Sequence, residues 1–362
     1  MTSKAGEHGS LPVPNVQELA SNDLKGVPSR YIRPELETHQ VLSDESLEIP
    51  VINLQKLLNQ QQMGTSDADG DDDNEMCRLH KACRDWGFFQ LINHGVPEEI
   101  IKKMKDDTVE FFKLPLEEKQ AFAQEPESFH GYGQAFVVSE EQKLDWSDML
   151  VILTLPVSDR VMKFWPTNPP FRGIIEKYAE EMEKLTICLL GLIETNLGIE
   201  GGKLINTYKD GGLQWMRMNF YPPCPEADKV IGISPHSDAS LITLLIQVNE
   251  VEGLQINKSG KWVPIKAIPG AFIVNFGDAI EVLSNGMYKS IEHRAVIHPE
   301  KERLSIAGFQ DPKRGIVVGP FPELLEDGAK YKTVEYDEYL TQYFSRKLDG
   351  KSALDLIKLS EM

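Results

Sequence analysis

ISPHSDASLITLL, residues 233–245, is the stretch on which the reading of this chain turns. It is strand-like, and successive side chains of a strand point to opposite faces, so His236 and Asp238, two apart, point the same way. Downstream, YKSIEHRAV (288–296) carries His293 and RLSIAGF (303–309) follows it; upstream, QWMRMNFY (214–221) ends at Pro222-Pro223. SLITLLIQV, GLQIN, KWVPIKA and AFIVNFGD repeat the same texture of short apolar runs broken by Pro, Gly and Asn. Many short strands at regular spacing, with turn signals between them, predict a sandwich or jelly roll. The chemistry is expected inside it.

Towards the N-terminus the texture is helical. Apolar residues recur at helical spacing from Met76 to Trp86 and stop at Gly87, and FFQLIN then reads as a buried strand. Pro97 opens a second helix, and a third, long one runs from about Phe171 to Gly198. A strand-like EIPVINL (48–54) opens the folded region, preceded by an arm of Pro, Ser, charge and short apolar pieces that is expected to pack on the body. QQQMGTSDADGDDDNE (60–75) is too polar and acidic to bury anything, and reads as a solvated loop. It has neither the alternation nor the closing glutamate of an EF-hand calcium loop.

The chain has 362 residues, 41% of them apolar and 26% charged, the balance of a globular protein with a sizeable core. A net charge of -18 with no Lys/Arg stripe excludes a nucleic-acid partner, since such a surface repels phosphate. No signal-peptide core, lipidation motif or membrane-length apolar run is present, so the expectation is a cytoplasmic protein without a membrane partner. The four cysteines, Cys77, Cys83, Cys188 and Cys224, fit neither a zinc site nor a disulfide framework and are expected as thiols. The sequon at Asn257 is expected to be a turn between strands.

Two histidines and a carboxylate on one face of an octahedral ion leave three adjacent positions open, the donor set of iron(II) oxygenases. His236, Asp238 and His293 can supply it. Arg303 and Ser305, again two apart, face one way at the start of the next strand. An arginine fork binds a carboxylate through two charge-assisted hydrogen bonds and a neighbouring hydroxyl adds a third donor, so a diacid co-substrate fits there. Arg217, Asn219 and Tyr221 share one face of the preceding strand, and Tyr221 could donate to the same diacid. Judged singly, Asn219 and Tyr221 are equally a strand-end hydrogen bond and a core aromatic.

The blocks DWGFFQLINHGVP (85–97), GYGQAF (131–136), KLDWSD (143–148), MNFYPPCP (218–225), PHSD (235–238), YKSIEHRAV and ERLSIAGF together resemble the plant branch of the iron(II)/2-oxoglutarate-dependent dioxygenases, over nearly the whole chain. The phrases SLPVPNVQELA, SRYIRPE, SLEIPVI and GYGQAFVVSEEQKLDW are similar to a subgroup acting on alkaloids and related specialised metabolites, which holds O-demethylases, hydroxylases and a norcoclaurine synthase-like member credited with a condensation. The resemblance implies an α+β fold: a double-stranded β-helix (jelly-roll) core flanked by helices, with an N-terminal helix-strand region and a C-terminal helix. The divisions expected are an arm over 1–45, an N-terminal dioxygenase region over 46–170, a supporting helix over 171–205, a catalytic core over 206–320 and a C-terminal helical lid over 321–362.

Carried over position by position, the resemblance implies Fe(II) on His236, Asp238 and His293, and 2-oxoglutarate on Tyr221, Arg303 and Ser305 with Asn219 nearby. It places a small-molecule substrate against Tyr132, Phe136, Met149, Arg217 and Phe309 and side chains of the C-terminal helix, and His94 in a supporting role. O2 is then the oxidant and ascorbate the expected reductant. The reaction is hydroxylation, or loss of an O- or N-methyl group as formaldehyde, coupled to conversion of 2-oxoglutarate to succinate. The aromatics of the interior suit a flat aromatic or alkaloid-like metabolite. A monomer is expected. Three other readings stay open on the residues: a zinc hydrolase using the same three ligands, which Arg303 with Ser305 argues against; a binder or non-oxidative condensation catalyst on the same scaffold; and oxidation without 2-oxoglutarate.

Overall fold

The computed structural model describes residues 10–21, 26–38, 41, 48–63, 74–125 and 128–359. Besides a small two-stranded pair, β13 Val317–Val318 and β14 Val334–Glu335, its strands in chain order are β1 Val51–Asn53, β2 Phe88–Ile92, β3 Gly131–Gly133, β4 Asp148–Leu155, β5 Gly212–Tyr221, β6 Ile233–His236, β7 Ile242–Gln247, β8 Leu254–Lys258, β9 Lys261–Pro264, β10 Phe272–Phe276, β11 His293–Ala295 and β12 Arg303–Lys313. Eight of them form one sheet in the order β1-β2-β10-β7-β12-β5-β4-β3, and the other four form a second in the order β6-β11-β8-β9. The jelly roll expected from the run of short strands is therefore present.

Alternation explains how the large sheet meets its two surroundings. Met216, Met218 and Phe220 of β5 enter the main apolar core, which also holds Tyr178, Met182, Leu185 and Leu189 of the long helix Arg172–Asn196. Each fully buried large apolar side chain contributes about 1.5–3 kcal/mol. The intervening residues, Trp215, Arg217, Asn219 and Tyr221, are left to line the barrel interior. Register with β12 sets Tyr221 opposite Arg303, Asn219 opposite Ser305, Arg217 opposite Ala307 and Trp215 opposite Phe309.

The helices fall where the periodicity places them, with shifts that local chemistry explains. The EIPVINL run gives up its strand after Asn53, because the Asn53 side chain accepts the Lys56 N–H at 3.2 Å and starts the helix Leu54–Met63. Asn74 caps the next helix, Glu75–Lys81, accepting from Met76 and Cys77. Both ends of the acidic stretch 60–75 are thus helical, and its centre, 64–73, lies outside the described residues. Gly87 stops the Met76–Trp86 segment at φ +61°, with Lys289 O 2.2 Å from where a Cβ would sit. ISPHSDASLITLL is not one strand: β6 ends at His236 and β7 begins at Ile242, because β6 pairs with β11 while β7 lies between β10 and β12 in the other sheet. The chain changes sheets at the predicted ligands. The YKSIEHRAV run is likewise strand only from His293 to Ala295. Asn257 sits in the β8–β9 hairpin, turning through Ser259 and Gly260, and the four cysteines are free.

The described part of the N-terminal arm packs on the body. Its short helix Val16–Ser21 begins on Asp148, whose carboxylate accepts the Val16 and Gln17 N–H groups at 3.0 and 2.7 Å, and Tyr31 meets Trp146 edge-on at 5.1 Å. At the other end, the helix Tyr336–Phe344 brings Leu340, Tyr343 and Phe344 to one mouth of the barrel, and the short helix Ser352–Asp355 packs against it. No helix among the described residues is long and apolar enough to cross a membrane.

Candidate active site

His236 and His293 are direct cross-strand partners on β6 and β11, with ring centroids 4.3 Å apart. Asp238, just past the end of β6, brings Oδ1 within 3.6 Å of His236 Nε2 and 3.7 Å of His293 Nε2. All three residues are buried. His236 Nδ1–H donates to Ser234 O at 2.8 Å and His293 Nδ1–H to Ile291 O at 3.0 Å, so each ring keeps the lone pair of Nε2 for the shared point. Burial, reinforced by the facing His293, pushes the His236 pKa down and keeps the imidazole neutral. Burial alone would raise Asp238, but hydrogen bonds from Thr243 and Asn275 favour the charged form, and on balance its pKa lies below the usual carboxylate value, so the carboxylate is ionised.

Two imidazole lone pairs and one carboxylate oxygen free of hydrogen bonds, converging from one side, fit a divalent iron with open coordination positions. Close backbone approach makes room for this loop: a Cβ on Gly277 would lie 2.0 Å from Ser240 O, and that contact lets the Asp278 N–H reach Asp238 O at 2.7 Å.

Two cavities meet at His236 and Asp238, and the inner one also reaches His293. The inner one is lined by Asn219, Tyr221, Arg294, Arg303 and Phe88 beside the triad. Arg303 is 2% exposed, yet its Nε and one terminal nitrogen have no partner. Its guanidinium lies 5.0 Å from the Tyr221 ring centroid, and Gly253 leaves the space its Cδ fills, 2.7 Å from where a Cβ would sit. Burying a guanidinium with unmet donors is costly unless an anion completes it. A carboxylate fits these orphaned donors. Ser305, fully buried, accepts from Asn219 at 3.4 Å, while Asn219 Oδ1 remains unpartnered.

The outer cavity is lined by Phe136, Met149, Arg217, Phe309 and the triad's His236 and Asp238. Tyr132 is not among them: it lines a separate cavity under the N-terminal arm and hydrogen-bonds Asn15. His94 is also elsewhere, its Nε2–H donating to Gly270 O at 2.9 Å, and is no fourth ligand. Sequence reasoning missed Trp215, Asp311 and Phe129 in the outer wall, and it named the C-terminal helix without resolving which of its residues, Leu340, Tyr343 and Phe344, take part. Trp215 and Asp311 extend the alternating rows of Arg217 and Phe309 by one step, a signal that was available. Burial, together with the nearby Asp238, pushes the Asp311 carboxyl up to about 7, against a hydrogen bond from Tyr336. Phe136 closes the cavity at φ +61°, stacked on Phe344 at 5.6 Å.

Comparison with known proteins agrees with this geometry. Residues 212–312 match the 2OG-Fe(II) oxygenase superfamily, and residues 49–168 match the family described as non-haem dioxygenase in morphine synthesis N-terminal. S-norcoclaurine synthase 1 of Coptis japonica is 54% identical over 98% of both chains. Codeine O-demethylase of Papaver somniferum is 42% identical, covering 96% of this chain and 97% of its own. The crystal structure of JOX2 in complex with 2OG, Fe and JA superposes with a TM-score of 0.86 at 35% identity, covering 97% of this chain and 99% of that one. The donor triad, the orphaned guanidinium beside it and these likenesses all lead to one conclusion: the chain belongs to the plant 2-oxoglutarate-dependent dioxygenases of the 2OG-Fe(II) oxygenase superfamily.

Proposed function

We propose that His236, Asp238 and His293 hold the iron(II), that Arg303 with Tyr221 and Ser305 fixes the distal carboxylate of 2-oxoglutarate, and that the outer cavity takes a small aromatic or alkaloid-like plant metabolite for hydroxylation or oxidative demethylation. The observation that carries the reading is the buried, incompletely partnered Arg303 in a cavity sharing a wall with the three-ligand cluster. Iron(II) with 2-oxoglutarate supplies oxygen activation coupled to oxidative decarboxylation. The chain's own residues bind and orient. Arg303 holds a carboxylate against the inner wall, His236 and His293 keep fixed tautomers, and Phe136, Phe309, Trp215 and Phe344 grip a flat ring and exclude water.

Arg217, which lines both cavities, and Asp311, at the outer wall, are the polar anchors for the metabolite. Relatives named as codeine and thebaine O-demethylases and a flavonoid 7-O-demethylase support O-methylated ring systems as the first substrates to try. A non-oxidative condensation would have no use for an anion site on Arg303. Within this reading the enzyme is a cytosolic monomer, a state that a charge of -18 favours by keeping copies apart.

Anaerobic titration with iron(II) and then 2-oxoglutarate tests the cofactor assignment: a weak visible charge-transfer band is expected, and its absence at saturation would overturn it. Methoxylated alkaloids and flavonoids, screened for succinate and formaldehyde together, test the substrate class. Turnover confined to non-aromatic acids would reject that part.

A further inference from the structure

Ser237 stands between two ligands of the triad and points away from the metal point, and its polar groups lead to the C-terminal segment. Its N–H donates to Gly350 O at 3.2 Å, and its carbonyl accepts the Tyr343 hydroxyl at 2.8 Å. Its hydroxyl donates to Asp278 Oδ2 at 3.2 Å, the same oxygen that accepts the Tyr339 hydroxyl at 2.6 Å. Gly350 N–H closes the grip from the other side, donating to Pro235 O at 2.9 Å, so residue 350 forms a parallel bridge with His236. Lys351 locks the segment in place through Glu281 Oε2 at 2.6 Å and Ser290 O at 2.7 Å.

The same segment walls the outer cavity. Leu340, Tyr343 and Phe344 line it, and the Tyr343 ring packs on Phe136 at 5.8 Å. We propose that Tyr343 is a positioning residue: its ring senses what fills the outer cavity, and its hydroxyl holds the backbone between His236 and Asp238, so that docking a metabolite sets the ligand geometry. A shift of the helix Tyr336–Phe344 cannot leave Ser237 untouched, because hydrogen bonds weaken steeply with distance and angle. The proposal rests on the metal assignment above but concerns a residue outside it.

Tyr343→Phe tests this, since it keeps the ring and removes only the hydroxyl. With iron(II) alone, and then with 2-oxoglutarate, the variant should bind the metal about tenfold more weakly, the scale set by loss of a partner behind a metal ligand, and its charge-transfer band should be displaced. In metal-free protein, amide exchange over residues 235–240 should accelerate while β12 stays unchanged. Tyr339→Phe, acting through Asp278, should reproduce a smaller version of both changes. Unchanged iron affinity, band and local exchange in a folded Tyr343→Phe protein would overturn the proposal and leave Tyr343 as cavity wall alone. Were wild type to show no band, the metal assignment would fail instead, and the exchange comparison on metal-free protein would still decide whether Tyr343 holds this backbone.

Discussion

Thr243 donates its hydroxyl proton to Asp238 Oδ2 at 2.6 Å, and Asn275 adds its amide to the same oxygen at 2.8 Å. With Oδ2 occupied, Oδ1 is the oxygen presented to His236 and His293. A ligand oriented by its neighbours need not be reoriented when metal arrives. Thr243→Val preserves shape and removes one of the two donors, so iron(II) affinity should fall about tenfold. Thr243→Ser should restore most of it. Anaerobic titration measures both, and a Thr243→Val value within a factor of two of wild type would mean that Asn275 suffices.

Arg303→Lys should separate charge from geometry. Lysine keeps the positive charge but loses the planar fork, and the Arg303 Nε and one terminal nitrogen have no partner in the protein. Charge-assisted hydrogen bonds are worth about 1.5–3 kcal/mol each, so KM for 2-oxoglutarate should rise roughly ten- to a hundredfold. Iron binding without 2-oxoglutarate should be unaffected. A succinate assay across 2-oxoglutarate concentrations reads the first, and a change smaller than threefold would count against Arg303 as the anchor.

Asp311 gives a pH signature. Burial raises its carboxyl from 3.8 to about 7 in the folded protein, so the protonated form is the one folding favours. Its contribution to stability is therefore fully present below about pH 4 and lost as pH rises through 7. Asp311→Asn, isosteric and always neutral, should gain on wild type above pH 7 by up to a few kcal/mol in metal-free protein, and the gap should close towards pH 4. Thermal melts at pH 5, 7 and 9 would show it. A pH-independent difference would mean that the ionised carboxylate has a partner in the fold.

The alternation of β5 and β12 made the neighbours of Arg303 legible: Arg217, Asn219 and Tyr221 on one strand and Arg303, Ser305 and Phe309 on the next are rows of a two-residue period, and the structure pairs the two strands in register. The same rule, applied to an unbroken strand through PHSD, put His236 and Asp238 on one face. They do converge, but across the point where the chain leaves one sheet for the other. Periodicity therefore gave the right neighbours through the wrong local geometry. Family likeness pointed to the C-terminal helix as a lid, but the individual residues Leu340, Tyr343 and Phe344 were not legible, for a different reason. A short amphipathic helix declares which of its faces is apolar, not which barrel mouth it covers, and Tyr343 is 106 residues from the Ser237 it holds. Thr243 and Asn275 are ordinary strand residues until tertiary pairing sets both against Asp238.

Tyr132 is the sharpest case for a test, because family likeness and structure place it differently. Its hydroxyl meets Asn15 of the N-terminal arm, and its ring packs on Phe111 and Phe112 at 5.9 and 6.4 Å, within the apolar core. Nearby, Asp148 caps the arm's helix by accepting the Val16 and Gln17 N–H groups. Removing a cap costs about 1 kcal/mol, and freeing both N–H groups in a part-buried setting is the upper end of that range. Asp148→Ala and Tyr132→Phe should both loosen the arm, with proteolytic cleavage within residues 10–21 accelerating by up to about tenfold for Asp148→Ala and less for Tyr132→Phe. Neither change reaches the outer cavity wall, so KM for the metabolite should move by less than about twofold, a surface-scale effect. A Tyr132→Phe protein with an intact arm and a KM raised tenfold would reverse this placement and return Tyr132 to the substrate site.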